Sequence, residues 1–273
     1  MISNRDKVIM VTGSNRGLGL GIAKNLISKG YKTILCSRSI KNGQQVIEDL
    51  LEIFPNNKDK IFLCKLDISK TEEVESCAKW IKEKFGQIDV FVNNAGVSGG
   101  ENEYHFSRLR KSGESLNLNT KSVKTSESVE TFDTIFKTNF FGTINLTETF
   151  LKEDLISKNG KIITIASSSG NATRLSNDDL KRDLIAEDVT NEKIIEFAAK
   201  YRKAIENETF VEDGWITDFV PVYSNSKLLL QVYNKALGKR KEVLERGIQI
   251  YDCSPGWVKT DMGTDLGPRT IEQ

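Results

Sequence analysis

A tyrosine and a lysine four residues apart, Tyr223 and Lys227, are the pair in this sequence best suited to proton transfer. Residues with this spacing on a helix share one face, with Cβ atoms about 6 Å apart. A neighbouring ammonium favours the phenolate, and so lowers the pKa of a tyrosine from about 10. Such a tyrosine can give a proton to a carbonyl oxygen, or take one back, near neutral pH. The same spacing also occurs by chance, with an exposed lysine covering a half-buried tyrosine, so the pair needs support from other motifs.

A glycine-rich turn near the N-terminus gives that support. Residues 7–12 form an apolar run typical of a buried strand, residues 13–19 (GSNRGLG) contain three glycines, and an amphipathic helix follows. In this context Gly13 permits a tight turn, Gly17 lets the backbone approach a pyrophosphate, and Gly19 allows close packing of helix on strand. The helix N-terminus offers free N–H groups to the phosphates. We therefore predict a dinucleotide-binding turn, with a plain strand–turn–helix connector as the alternative.

The length of 273 residues is that of one large α/β domain, and we take residues 1–273 as a single unit. A net charge of +1 gives no indication of nucleic acid or of a membrane surface as a partner, and no apolar run reaches about 18 residues. The polar N-terminus lacks the apolar core of a signal peptide, so we expect a cytoplasmic protein. With His105 as the single histidine and no closely spaced cysteines, we predict no metal site. Free buried thiols are expected at the four cysteines, which are Cys36, Cys64, Cys77 and Cys253.

Strand and helix patterns alternate along the chain, which predicts a single doubly wound parallel sheet with helices on both faces. Ligands of such sheets bind at the carboxyl ends of the strands, beside the point where the strand order reverses. The predicted strands are residues 7–12, 32–37, 61–66, 88–92, 160–166 and 248–253. The predicted helices are residues 18–29, 42–54, 72–85, 131–155, 192–206 and 224–246.

Two segments interrupt this alternation. Residues 98–130 are polar and predict a surface excursion. Residues 171–221 contain apolar side chains at helical spacing, and we favour a helix packed on the domain over a substrate lid. Within this segment, Trp215 and Phe219 either anchor the insertion to the core or, with Trp257, form apolar walls for a lipophilic substrate.

Further motifs stand at the ends of the predicted elements. Residues 93–96 (NNAG) close the fourth strand, Asn139 lies inside a helix, Ser167 follows the fifth strand, and residues 255–262 (PGWVKTDM) follow the sixth. Together with the glycine turn and the Tyr/Lys pair, these motifs closely resemble the short-chain dehydrogenase/reductases, and within them the carbonyl-reductase-like branch. The resemblance runs from residue 7 to about 265. It implies a Rossmann-like fold and an NADP(H)-dependent oxidoreductase that acts on a small-molecule carbonyl substrate.

The resemblance also implies roles for the site residues. Tyr223 would be the general acid in reduction, Ser167 would hold the carbonyl oxygen, and Lys227 would grip the nicotinamide ribose. Asn139 would anchor a water that relays protons to Lys227. The implied substrate contacts are Ser167, Tyr223 and Trp257. The implied cofactor contacts are Gly13, Asn15, Arg16, Gly17, Leu18, Gly19, Arg38, Asp67, Ile68, Asn93, Ala95, Gly96, Tyr223, Lys227, Pro255, Gly256, Val258 and Thr260.

Two of these assignments leave alternatives open. Asn139 is flanked by phenylalanines, so a buried amide there must find partners or lose about 1–3 kcal/mol, whereas a solvent-facing amide would need none. Ser167 begins a run of three serines, and Ser168 competes with it. We choose Ser167 from its place relative to Gly170 in the family pattern.

The second strand ends at Ser37 and Arg38, without the carboxylate that holds a ribose 2′-OH in NAD sites. Arg38 is suited to a phosphate, and Arg16 can add a second positive charge. Both residues favour NADP over NAD, with two solvated surface arginines as the alternative. Asp67, after the third strand, resembles the residue that contacts the adenine amino group, although a turn or N-cap carboxylate is nearly as consistent with its position.

The segment between Ser167 and Tyr223 is much longer than in compact family members. In the carbonyl-reductase branch a similar insertion covers the surface through which other members associate, so we predict a monomer. The chain also stops soon after residue 262, which leaves the sixth strand as an uncovered sheet edge unless the sequence is truncated or another segment caps it.

We therefore predict reversible, NADPH-dependent reduction of a ketone or aldehyde to an alcohol. The alternative from another class is a catalytically idle relative that binds a dinucleotide as a sensor or protein partner. The intact set of Asn139, Ser167, Tyr223 and Lys227 speaks against it, because a sensor needs only the phosphate contacts. A sugar-nucleotide epimerase would need a longer C-terminal substrate region.

Overall fold

Six parallel strands form one sheet in the order β3-β2-β1-β4-β5-β6. The computed structural model describes residues 6–98, 127–218, 220–262 and 268–271. The strand order reverses between β1 and β4, as the predicted doubly wound fold class requires. The strands are β1 (Val8–Val11), β2 (Lys32–Ser37), β3 (Ile61–Lys65), β4 (Ile88–Asn93), β5 (Ile156–Ile165) and β6 (Gln249–Cys253).

Helices cover both faces of the sheet in the described parts of the chain. Side chains alternate along β1, so Met10 packs in the larger cluster beneath α3, α4, α5, α7 and α8, while Ile9 and Val11 pack on the other face against α1. Residues of α2 add to the core on the α1 side. The helices are α1 (Gly17–Ser28), α2 (Ile40–Ile53), α3 (Thr71–Phe85), α4 (Val129–Phe136), α5 (Thr143–Lys152), α6 (Asp178–Leu184), α7 (Asn191–Glu206), α8 (Pro221–Leu237) and α9 (Lys241–Glu245).

The predicted helix over residues 131–155 is interrupted. Residues Lys137–Gly142 form a π-helical turn between α4 and α5, and π turns of this kind often occur at functional sites. A Cβ atom on Gly142 would lie 2.7 Å from the carbonyl oxygen of Ile68, so only glycine lets this turn press against the loop after β3. The sequence pattern showed a helix here but not the wider turn.

The predicted helix over residues 224–246 is also divided. It starts earlier, at Pro221, where the missing N–H of a proline costs no hydrogen bond. It ends at Leu237, and a short α9 follows after a turn in which the N–H of Arg240 bonds to the carbonyl of Leu237. Tyr223 therefore lies in the first turn of α8, and Lys227 one turn further along the helix.

The segment 171–221 packs as part of the body of the protein. Its long helix, α7, buries Phe197 and Tyr201 against α4 and α8. The ring of Trp215 lies 4.8 Å from that of Tyr201 and is buried, so Trp215 anchors the segment to the core and lines neither of the cavities described below. Phe219 and most of the expected excursion at 98–130, including His105, lie outside the described residues.

The cysteine prediction is wrong for Cys253. Cys36, Cys64 and Cys77 are buried free thiols, but Cys253 is exposed. Its strand, β6, is the last in the sheet, and most of its residues are exposed. Within the described ranges, no strand pairs with the outer side of β6.

No helix among the described residues is both long and apolar enough to span a bilayer.

We predict that the protein is a monomer in solution, because α7 packs on α4 and α8 and, as the family resemblance implies, this insertion covers the surface through which other members associate. Light scattering coupled to gel filtration should give a mass near 30.7 kDa over a wide range of protein concentration. A stable dimer or tetramer mass would contradict the covering role of residues 171–221.

Candidate active site

A cleft of about 620 Å³ opens at the carboxyl ends of the strands, where the loops after β1, β4, β5 and β6 meet the start of α8. The cleft lies beside the reversal of strand order, as predicted for this type of sheet. All of the predicted site residues line it except Asn93 and Asn139. The fold therefore brings residues from both ends of the sequence to one place.

Lys227 is the charged group at the centre of this cleft. Only 4% of the residue is exposed, and its Nζ donates a hydrogen bond of 2.8 Å to the carbonyl oxygen of Ile165 at the end of β5. Burial lowers the pKa of Lys227 to about 8, partly opposed by the nearby charge of Asp252. The same Nζ lies 5.7 Å from the centroid of the Tyr223 ring. The lysine is therefore positioned to influence the phenol, as the spacing predicted.

Ser167 is the second residue after β5, and it lines the cleft together with Tyr223. Its Oγ lies 2.9 Å from the Oγ of Ser169 and accepts a 3.2 Å hydrogen bond from the N–H of Ser169. The side chain of Gln231, on α8, donates to the carbonyl oxygens of Ser167 and Gly170 at 3.0 and 3.3 Å. Residues 167–170, which we call the serine loop, are thus bonded to the helix that carries Tyr223. Ser168 lines the cleft too.

Asn139 lies in the π turn behind the cleft wall, with no exposed surface. Its side-chain amide accepts from the N–H of Val97 and donates to the carbonyl of Val97, both at 2.8 Å. It also donates to the Oγ of Ser226 at 3.2 Å. The solvent-facing alternative is therefore excluded. Asn139 joins the loop after β4 to α8 and acts on the cleft through both.

The structure places Asn94, and not Asn93, on the cleft. Asn93 is the last residue of β4, and its amide points into the core, where it donates to the Oγ1 of Thr147. Asn94 donates to the carbonyl oxygen of Thr12 at 2.8 Å, and the Oγ1 of Thr12 accepts the N–H groups of Asn94 and Ala95, both at 2.9 Å. The alternation of side chains along a strand is the signal that could have separated the two asparagines.

The start of α1 is shaped for a phosphate group. Arg16 is the N-cap residue, and its side chain accepts no hydrogen bond from the first turn. The first N–H groups of the helix, beginning at Gly17, therefore remain open to the cleft. Gly13 has a φ of 62°, which favours glycine, and a Cβ atom on Gly19 would collide with the carbonyl of Gly13. These glycines therefore keep the turn tight and its backbone accessible.

Two arginines flank a smaller cavity of about 360 Å³ next to the cleft. It is lined by Asn15, Arg16, Ser37, Arg38, Ser39 and Asn42. Arg16 forms an ion pair of 3.1 Å with Asp261, but both side chains are well exposed, so the pair contributes little to stability. The cavity combines two guanidinium groups with hydroxyl and amide donors, which is the chemistry that binds a phosphate.

Asp67 lines the cleft, and its Oδ1 accepts hydrogen bonds from the N–H and the Oγ of Ser69 at 3.0 and 2.7 Å. These are the contacts of a carboxylate that stabilises a turn, which was the alternative prediction for Asp67. An adenine contact remains compatible with its place on the cleft wall.

Two charged residues of the cleft were not predicted from the sequence. Arg174 and Asp218 line the cleft and form an ion pair of 3.0 Å. Both lie in the long insertion, where charged residues are usually solvated. Their pairing depends on how the insertion folds, which no local pattern specifies.

The pKa of Lys227 predicts a pH dependence of stability. Between about pH 8 and 10.5 the unfolded chain holds this proton while the folded chain does not, so this group makes the folded state more stable as pH rises. Relative to Lys227→Met, the unfolding free energy of the parent should rise by roughly 2–3 kcal/mol across that window. Urea denaturation at several pH values measures this difference. Lys241→Met is the exposed control, and a pH-independent difference for Lys227→Met would contradict the assignment.

A family model described as short chain dehydrogenase matches residues 7–177. Short-chain dehydrogenase/reductase 1 of Saponaria officinalis is 30% identical over 268 residues, which cover 97% of this chain and 85% of the relative. (+)-Neomenthol dehydrogenase of Arabidopsis thaliana is 27% identical over 274 residues, covering 100% of this chain and 90% of the relative. The solved structure of salutaridine reductase from Papaver somniferum matches with a TM-score of 0.81 and 27% identity, over 97% of this chain and 92% of that chain. The chain therefore belongs to the short-chain dehydrogenase/reductase family of oxidoreductases.

Proposed function

We propose that this protein uses NADPH to reduce a ketone or aldehyde to an alcohol, in a reversible reaction. The observation that carries the proposal is the meeting of Ser167, Tyr223 and the buried Lys227 at one wall of the cleft. A protein that only bound a dinucleotide would need the glycine turn and the phosphate contacts, but not this set.

The cleft fits the cofactor on its own geometry. The glycine turn and the open start of α1 suit a pyrophosphate, and the cavity beside Arg16 and Arg38 suits a 2′-phosphate. Gly96, Val258 and Thr260 line the cleft between this end and Lys227, where the nicotinamide half would lie. When bound, NADPH supplies the hydride.

Residues of the protein then stabilise the negative charge that develops on the carbonyl oxygen of the substrate. As the carbonyl carbon is reduced, negative charge develops on its oxygen, and donors already aimed at that oxygen stabilise it. Ser167 holds the oxygen through its hydroxyl, and Tyr223 donates its phenolic proton to it. Removing one such preset donor typically costs about 3–4 kcal/mol of barrier.

Lys227 supports the proton transfer electrostatically, from a position 5.7 Å from the centre of the Tyr223 ring. Its positive charge favours the phenolate that remains after the proton has left. Asn139 contributes indirectly, since its amide holds Val97 in the loop after β4 and Ser226, the neighbour of Lys227 on α8. A water at this turn would return a proton towards Lys227, as the family resemblance implies.

Trp257, Val97 and Val220 contribute apolar surface to the cleft, so a largely apolar molecule is a suitable substrate. Two similar proteins are named for neomenthol and for salutaridine. Cyclic ketones and alcohols of these kinds therefore belong in any substrate panel for this chain, beside quinones, keto-steroids and simple aldehydes.

We expect NADPH to bind much more tightly than NADH, because only NADPH carries the 2′-phosphate. Arg38→Ala should remove most of that difference, by weakening NADPH binding at least tenfold with little effect on NADH. Titration of tryptophan fluorescence measures both affinities. Arg202→Ala, a surface arginine paired with Asp133, is the matched control. Equal affinities for the two cofactors in the parent would refute the role of Arg38.

We expect Tyr223→Phe to lower kcat by at least 100-fold on any carbonyl that the parent reduces, with NADPH affinity unchanged, because only the proton donor is lost. NADPH consumption across the substrate panel measures the activity. Tyr251→Phe, on the exposed edge strand, is the control. A Tyr223→Phe variant with parental kcat would require another acid, and a parent that is inactive on the whole panel would favour the binding-only alternative.

A further inference from the structure

Arg174 contacts the two segments that carry the residues proposed to act on the substrate oxygen, Ser167 and Tyr223. It ends the short 3-10 turn Ala172–Arg174 that follows the serine loop, and it lines the cleft. Its Nη1 lies 3.3 Å from the carbonyl oxygen of Ser169 and 3.0 Å from Oδ2 of Asp218. One guanidinium group therefore joins an acceptor on the serine loop to an acceptor beside α8.

The contact with Ser169 leads to Ser167. Ser169 donates its N–H to the Oγ of Ser167 at 3.2 Å, and the two hydroxyl oxygens are 2.9 Å apart. The rotamer and the position of the Ser167 hydroxyl therefore depend on where Ser169 is held. Arg174 in turn holds Ser169 in place, by donating a hydrogen bond to the carbonyl oxygen of Ser169.

The contact with Asp218 leads to Tyr223. Asp218 is nearly buried, with 7% of its side chain exposed. Its Oδ1 accepts the N–H of Val220 at 3.1 Å, and its Oδ2 accepts the hydroxyl of Ser224 at 2.7 Å. Val220 is the N-cap of α8, and Ser224 follows Tyr223 in the first turn. Asp218 thus fixes the turn from which the phenol of Tyr223 projects.

We propose that Arg174, through Ser169 on one side and Asp218 on the other, is a positioning residue that sets the separation of the Ser167 hydroxyl and the Tyr223 phenol. The inference rests on the proposed function, since it is the substrate oxygen that must meet both donors at once. The two donors come from different segments of the chain, and a misplacement of about 1 Å between such groups can cost up to 100-fold in rate. A planar guanidinium suits this task because it offers several donors in a fixed geometry.

A second tie limits the size of the expected effect. Gln231 also joins the serine loop to α8, through its bonds to the carbonyl oxygens of Ser167 and Gly170, but it lies on that helix two turns beyond Tyr223. The loop therefore stays attached without Arg174, while the first turn of α8 loses the link that runs through Arg174 and Asp218. We expect a moderate loss of rate and an intact fold.

The first test compares Arg174→Met with Arg182→Met. Arg182 is a control from the same insertion, where it pairs on the surface with Asp179. Arg174→Met should lower kcat about tenfold at saturating NADPH, leave NADPH affinity within twofold, and leave the urea midpoint close to that of Arg182→Met. Arg174→Lys, which keeps the charge but not the planar group, should recover part of the loss. Parental kcat in Arg174→Met would overturn the proposal.

The second test asks whether Arg174 acts through Ser167. In a Ser167→Ala background, adding Arg174→Met should cost no more than about twofold, because the donor that Arg174 positions is already absent. A full tenfold further loss would show independent effects and would overturn the proposal.

The third test needs no turnover and so separates this proposal from the proposed function. By amide hydrogen exchange, Arg174→Met should exchange faster than Arg182→Met both at residues 167–170 and in the first turn of α8. Unchanged exchange at either segment would overturn the inference, even if the protein reduces no carbonyl. Faster exchange in a protein inactive on every carbonyl would support the link and reject only the function.

Discussion

A positive charge held almost without water, the ammonium of Lys227, is the constraint on which the rest of this cleft depends. A buried charge is costly unless hydrogen bonds replace its hydration. The carbonyl of Ile165 supplies such a bond only if the end of β5 and the second turn of α8 lie side by side. The sheet and the helix are therefore held in one relative position by a group that also serves the proposed chemistry.

The same constraint extends to the neighbours of Lys227 along α8. Residues 224–226 are all polar and fully buried, and each bonds to a residue outside α8. Ser224 bonds to Asp218, Asn225 bonds to the backbone of Ile216, and Ser226 accepts from Asn139. Polar groups buried in this way stabilise a fold only when every partner is in place. The long insertion is thus a structural part of the site and not an appendage to it.

The architecture could be read from the sequence because it follows from short-range patterns. Apolar runs marked the strands, glycines marked the first turn, and the spacing of Tyr223 and Lys227 marked the face of α8. The π turn at Asn139 could not be read, since it depends on contact with the loop after β3 and with Val97. Likewise, the cleft is lined by Asn94 and not by the predicted Asn93, because the pleat of β4 turns the Asn93 side chain into the core. Pairs such as Arg174 and Asp218, distant in sequence, have no local signature.

The hydrogen bonds that the Oγ1 of Thr12 accepts from the N–H groups of Asn94 and Ala95 join the loops after β1 and β4 within the protein itself. The conformational entropy of these loops is consequently lost once, when the chain folds, and not again at each binding event. A ligand that binds between the two loops therefore does not have to supply the bonds that hold them together.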